Sequence, residues 1–281
     1  MPARIAVVTD SSSCLPDLVA ARWAIGVVQI QLSLGEHLDD ENRYDRSKVI
    51  DAMRAGQVAT TAPPDPGAFF WTYQEAAASG ATAIVSVHLS GRMSDTVRAA
   101  RQAAQQVRIP VHVLDSTTTG MSLGFAAISA ARAAAAGGGP HRVIEAAERR
   151  FRTSTEFIYV DTLEYLRRGG RIGAAQAMVG TALSIKPLLT VKNGEVAPLA
   201  RVPGTKRALA KMVDLAVRKA GGYRVDIAVT RFGASDHELE IGRQIERRVS
   251  GMAESMVVEA STVLGAHLGP GALGITVSPV G

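Results

Sequence analysis

Apolar and polar positions alternate in blocks along the first half of the chain. Residues 5–8 form a short apolar run that predicts a buried strand. The run stops at Thr9, Asp10 and three serines, so the strand delivers hydroxyls and a carboxylate to the loop at its end. Pro16 suits the first turn of a helix over 16–23. Residues 25–34 predict a second strand, 35–44 a polar loop and 46–55 a helix. Thr60 and Thr61, followed by Pro63, Pro64 and Pro66, predict a rigid hydroxyl-bearing loop that leads into a helix over 67–78. Residues 83–87 predict a strand that exits through Ser90, Gly91, Ser94 and Thr96 into another helix. A strand at 111–114 exits through Asp115, Ser116 and three threonines. The Ala-rich stretch 121–136 is apolar on most sides and predicts a buried helix, closed by three glycines. Residues 141–152 predict an amphipathic helix on the outside. Strand followed by helix, repeated, predicts a parallel sheet.

From residue 157 the order changes. A strand at 157–161 leads into the stretch 161–207 around which the chain is organised. There the basic pair Arg167 and Arg168 runs into Gly169, Gly170 and Arg171. Two adjacent glycines end a helix and permit a positive φ or a close backbone approach. An apolar strand entered through Pro187 reaches Asn193-Gly194, a hairpin turn. Helices at 204–220 and 235–250 and strands at 225–230, 254–260 and 272–278 follow. The loop 265–272 holds His267 among glycines and a proline. The expected fold is therefore α/β: an N-terminal parallel-sheet α/β domain over 1–154, a C-terminal α+β domain with a mixed sheet over 155–281, and a ligand cleft between them.

Composition narrows the classes. At 281 residues, 47% hydrophobic and 20% charged, the chain is globular and long enough for one large or two ordinary domains. Aromatic residues are only 5%, so aliphatic side chains must fill the core. The net charge of +5 is scattered, with no basic run and no interleaved aromatic platforms, which argues against nucleic acid. Cys14 is the single cysteine, so neither an internal disulfide nor a cysteine zinc site is possible. The first ten residues turn polar at once, unlike a signal peptide, and no apolar run reaches the length of a membrane span. These features lead us to expect a cytoplasmic protein without integral membrane association. The histidines at 37, 88, 112, 141, 237 and 267 form no i, i+4 pair, and neither a P-loop nor a GxGxxG follows a strand. No metal and no cofactor are expected.

Residues 120–124 match the G-x-S-x-G nucleophile elbow, and His267 follows late enough to serve as base. An elbow turns directly out of a strand, however, whereas residues 115–119 intervene here. A serine hydrolase using Ser122 or Ser94 with His267 is the alternative reading. Hydroxyls at successive strand exits, with a helix N-terminus beside them, suit a carboxylate or phosphate head group better than a metal.

These segments resemble the DegV family of bacterial fatty-acid-binding proteins. The resemblance covers Val-Thr-Asp-Ser-Ser from Val8, Thr60-Thr61 with Pro63, residues 89–100, Leu114-Asp115-Ser116 and Ile185-Lys186-Pro187. Its specific parts are Asp161-Thr162-Leu163-Glu164-Tyr165-Leu166 with Arg168-Gly169-Gly170-Arg171-Ile172, and His267-Leu268-Gly269-Pro270-Gly271-Ala272. The resemblance implies a binding protein rather than an enzyme. It would hold one long-chain fatty acid in an apolar tunnel between the domains and present it to a separate fatty acid kinase, which makes an acyl-phosphate for phospholipid synthesis. By position, the carboxylate would meet Thr61 and Ser94 with His267 close by, and Thr60 and Ser90 are the neighbouring candidates. Arg171, Arg201 and Lys206 would be partner contacts. The tunnel would draw on the helix 121–136 and on the apolar run 178–183. Asp95 stands where the family has glycine, Val97 where an aromatic is usual, and Ala62 where the family has glutamine. An acid beside a carboxylate site repels the ligand unless it turns outward, so Asp95 is expected to cap the following helix.

Overall fold

The computed structural model describes residues 4–180, 184–233 and 237–280, with the backbone alone at 238. β1 (Ile5–Asp10), α1 (Asp17–Arg22) and β2 (Ile25–Val28) form a parallel unit. The chain then breaks at Gln29 and Ile30, where the Ser11 hydroxyl accepts the Ile30 N–H. The single strand expected over 25–34 is therefore two strands in two sheets. β3 (Gln31–Leu34) pairs antiparallel with β4 (His37–Asp40), inside the expected polar loop, and with β5 (Ala59–Ala62), inside the expected rigid loop. α2 (Arg46–Arg54) starts at Asp45, which accepts the N–H groups of Ser47 and Lys48. α3 (Pro66–Ala78) has proline in its first turn, with the Asp65 carboxylate accepting the Gly67 N–H.

β6 (Ala83–His88), α4 (Thr96–Ala104) and β7 (Val111–Asp115) complete an all-parallel sheet in the order β2-β1-β6-β7. Every residue of β6 is buried, as a parallel strand covered on both faces requires. α5 (Gly120–Ala135) follows and is buried from Gly120 to Ile128. It packs on β1 and β6 of this sheet and also on β8 (Thr155–Tyr159) and β13 (Ala272–Pro279) of a second sheet. Its outer neighbour α6 (Pro140–Thr153) is amphipathic and buries Val143, Ala147 and Phe151. The Arg150 guanidinium on the same face pairs with Asp226.

The second sheet has the order β10-β9-β8-β13-β11-β12. β9 (Ile185–Lys192) and β10 (Glu195–Pro203) form the expected hairpin, with Asn193 and Gly194 both at positive φ. β11 (Val225–Phe232) pairs antiparallel with β13 and parallel with β12 (Met252–Glu259), so the sheet is mixed. α8 (Thr205–Ala220) and α9 (His237–Arg248) close the sheet face opposite α5, around Phe157, Tyr159, Ile227 and Ile275. Period 2 along β8 sends Ile158 and Val160 the other way, into a core shared with the first sheet.

Between β8 and β9, α7 (Glu164–Arg168) ends at Gly169 and Gly170, the latter at φ 67°. Arg167 and Arg168 both bond Glu164, whose carboxylate they hold down at about 2. His267 lies on α10 (Thr262–Leu268) rather than in a loop, and only Gly269 to Gly271 form the turn into β13. The buried Glu41 carboxylate caps this helix, accepting from Val263 N–H and the Ser261 hydroxyl.

Candidate functional site

Alternation along β5 turns Thr61 inward and leaves Thr60 exposed on the outer face, which removes Thr60 from the site. Thr61 lines a largely apolar cavity together with Ile30, Leu89, Ile158, Val191 and Phe232. Its empty space, counted out to the open mouth, is about 990 Å³, the scale of a small-molecule site. The walls come from the mixed sheet, from β5 of the small antiparallel sheet, from the loop after β6, from the start of α5 and from α10, so from chain positions on both sides of residue 154.

Thr61, Ser94 and His267 all face this cavity. The Thr61 Oγ1 and His267 Nε2 are 2.8 Å apart. Ser94 Oγ lies 2.8 Å from Thr96 Oγ1 and accepts the Thr96 N–H, at the start of α4. Asp95 turns outward, as expected of an acid there, but pairs with the Arg98 side chain rather than capping the backbone. The Ser90 hydroxyl is spent elsewhere: it donates to Gly194 O and accepts from Arg92 N–H, tying the β6–α4 loop to the β9–β10 hairpin.

The two glycine motifs meet at the histidine. A Cβ on Gly169 would overlap His267 Nδ1, and one on Gly269 would overlap the Tyr165 ring. The backbone of α7's end and the α10 turn are thus pressed against each other's side chains. His267 Nδ1 is buried with no partner among the described residues. Burial, with the nearby Arg171 charge adding to it, pushes the imidazole down to about 4, so it is neutral at pH 7. Arg171 also lines the cavity, and its guanidinium donates to Met93 O and Gly169 O. Arg201 and Lys206 are exposed and outside the lining; Arg201 donates to Ala177 O.

Other expected contributors lie elsewhere. Asp10 is fully buried and accepts from Ser12 and Leu89 N–H, with His88 Nδ1 at 2.9 Å. It fixes the strand exits rather than facing a ligand. Ser122 is buried in the first turn of α5, makes no contact with His267 and does not line the cavity, and Ser94 is bonded to Thr96. Neither serine is paired with an imidazole, so the hydrolase geometry is not formed. None of residues 121–136 lines this cavity, because α5 is wedged between the sheets and buried through Ile128, while its C-terminal end at Ala135 and Ala136 is exposed. Of the run 178–183, residues 181–183 lie outside the described residues, and Met178 and Val179 line a separate small pocket. Cys14 is buried, and burial pushes its thiol up to about 12, so it is inert at neutral pH. Sequence reasoning missed four polar residues in the cavity wall, Thr119, Glu156, Thr230 and Arg231, of which Thr119 and Glu156 lie side by side at the start of α5 and of β8. The threonine cluster after β7 signalled Thr119, and nothing local signalled Glu156.

Fold and cavity together define a class: two α/β layers sharing a central helix, with a largely apolar chamber between them that carries two hydroxyls, a neutral imidazole and a guanidinium together in its wall. Residues 4–280 match the model of the DegV family of uncharacterised proteins, and the chain belongs to that family. It is 42% identical over 279 residues to the DegV domain-containing protein SCO2569 of Streptomyces coelicolor, covering 99% of each chain. It is 35% identical over 274 residues to Rv2417c of Mycobacterium tuberculosis, covering 97% of this chain and 96% of that one. Among solved structures, a fatty-acid-binding DegV family protein of Thermus thermophilus superposes with a TM-score of 0.93 at 31% identity, covering 99% of this chain and all of that one. DegV of Bacillus subtilis, a fatty acid binding protein, superposes at 0.89 with 28% identity over 99% and 100% of the two chains. No described helix is long and apolar enough to cross a membrane.

Proposed function

We propose that this protein binds one long-chain fatty acid, with the acyl chain in the apolar cavity and the carboxylate at Thr61, Ser94 and His267. The observation that carries the reading is the Thr61–His267 hydrogen bond at the wall of a cavity whose lining is mostly apolar side chains. The similarity to the Thermus and Bacillus fatty-acid-binding proteins supports it. A carboxylate taken from water needs donors. With His267 as the Nε2–H tautomer, the imidazole donates to Thr61 Oγ1, and the Thr61 hydroxyl is left to donate to the ligand. Thr96 donating to Ser94 Oγ frees the Ser94 hydroxyl in the same way. The Arg171 guanidinium at this wall favours an anion there. Each methylene removed from water contributes about 0.8 kcal/mol, so few polar contacts suffice for tight binding.

The finer part of the proposal is that the protein is a carrier without a catalytic centre of its own. It acts in the cytoplasm and presents the acid to a separate kinase for acyl-phosphate formation and phospholipid synthesis. The exposed Arg201 and Lys206, with Arg171 at the cavity, are the contacts proposed for that partner or its nucleotide. The division into units at residue 154 belongs to the same proposal, with the acid between them.

Lipid extraction of the purified protein should release one fatty acid per chain. Thr61→Val should weaken rebinding of hexadecanoic acid about tenfold, read by native mass spectrometry. A protein that carries no acid and takes none up after delipidation would overturn the reading.

A further inference from the structure

Away from Thr61 and His267, the cavity wall is not wholly apolar. Thr119 and Gly120, at the start of α5, line it beside Glu156 of β8. Glu156 faces inward because it shares the face of Ile158 and Val160. It pairs with Thr276, four residues along β13 from Ala272, where the turn after α10 enters the sheet. Four strand residues span on the order of 13 Å, so this spot is remote from the turn that follows His267.

Two features leave it incompletely satisfied. Thr119 is 7% exposed, and its Oγ1 is buried without a hydrogen-bond partner among the described residues. The Glu156 carboxyl receives the Ser122 N–H at 2.7 Å and a single Thr276 hydroxyl that straddles both oxygens at 2.9 and 2.8 Å. The Ser122 hydroxyl lies near the carboxyl but without hydrogen-bond geometry. A carboxyl with about four acceptor positions therefore holds two protons, next to an unused threonine hydroxyl. Such pairs are costly when left dry.

We propose that Thr119 and Glu156 form a second polar subsite that takes a hydroxyl carried on the acyl chain, well down from its carboxylate. The inference rests on the fatty-acid reading above and names the chemical class within it. A hydroxyl fits both partners at once, donating to Glu156 and accepting from Thr119. A keto oxygen only accepts and leaves Glu156 unmet. An unsubstituted chain buries both groups against methylenes.

The test uses the full chain freed of lipid. It is offered octadecanoic acid in equimolar pairs with single hydroxyoctadecanoic acids, their hydroxyls placed from mid-chain to the methyl end. Bound species are read by native mass spectrometry. The isomer whose hydroxyl reaches the subsite should be retained about tenfold over octadecanoic acid. Thr119→Val should bring that ratio close to one, and Thr119→Ser should keep it. Octadecanoic acid bound as well as, or better than, every isomer overturns the subsite and leaves a trapped water as the partner of the pair. A preference that survives Thr119→Val overturns it too. Uptake of no acid at all overturns the fatty-acid reading and the subsite with it. The wild-type ratios decide without any variant.

Discussion

At the scale of single residues, the site depends on atoms that are missing as much as on those present. Gly169 has no Cβ because His267 Nδ1 occupies that place. Gly169→Ala should therefore displace the imidazole and part it from Thr61. Its φ is −75°, so the backbone itself accepts alanine and the effect comes from the overlap. We expect a cost of about 1–3 kcal/mol in urea unfolding. Fatty-acid affinity, measured by rebinding after delipidation, should fall at least tenfold. His267 carries a second prediction. Its folded pKa of about 4 lies below the ordinary 6.5, so its contribution to stability is complete above pH 6.5. As pH falls towards 4 the unfolded chain takes up a proton that the folded one refuses, and stability drops by up to about 3 kcal/mol. Glu41 and Glu156, held above the ordinary carboxylate range by burial, titrate in the opposite sense. The measurement is accordingly a difference. Unfolding free energies of wild type and His267→Gln from pH 7 to 4 should converge, the wild type losing more. Parallel curves would show that the imidazole is not held neutral.

At the scale of elements, α10 is short and depends on a distant side chain. Its seven residues follow Ser261, whose hydroxyl is turned to Glu41. Glu41 reaches over from the turn after β4 and accepts the Val263 N–H. Glu41→Leu should orphan those buried donors at a cost of about 2–3 kcal/mol. Because α10 carries His267, retained fatty acid should fall in the same preparation, which a merely peripheral cap would not cause. This element also marks what the sequence could convey. The two glycine motifs were legible because a glycine pair is costly in a helix unless something requires it, and here His267 and Tyr165 require it. Thr61, Ser94 and His267 reach one cavity as the motifs suggested. The elements carrying them were harder to read. Residues 25–34 look like one strand because no glycine or proline marks the break, which a tertiary bond from Ile30 to Ser11 imposes. Thr60 and Thr61 look like loop because prolines follow them, yet β3 recruits them as a strand edge. His267 looks like loop because Gly269, Pro270 and Gly271 follow it, and the helix before them is held by Glu41. Each miss is a non-local bond overriding a local signal, as strand edges and short helices allow.

At the scale of the whole molecule, one hydrophobic core runs from the parallel sheet through α5 to Ile158, Val160 and Phe232 of the mixed sheet. The cavity sits inside that continuity, walled by Leu89 and Ile30 on one side and Ile158, Val191 and Phe232 on the other. An acyl chain there would complete the packing between the sheets rather than decorate a surface. Emptying it leaves apolar walls without contact partners, which interiors tolerate poorly. Ligand and fold should therefore be thermodynamically linked. At a free acid concentration a thousandfold above the dissociation constant, the folded state gains about 4 kcal/mol, which for a chain of this size raises Tm by on the order of 10 °C. Calorimetry of delipidated protein across a titration of hexadecanoic acid should show Tm climbing with the logarithm of free acid. Thr61→Val should shift that curve to higher concentration and leave its slope alone, because the chain still fills the cavity while the head group holds less tightly. A Tm independent of added acid would mean that the two layers close over the cavity without a ligand, and that the apolar walls serve packing alone.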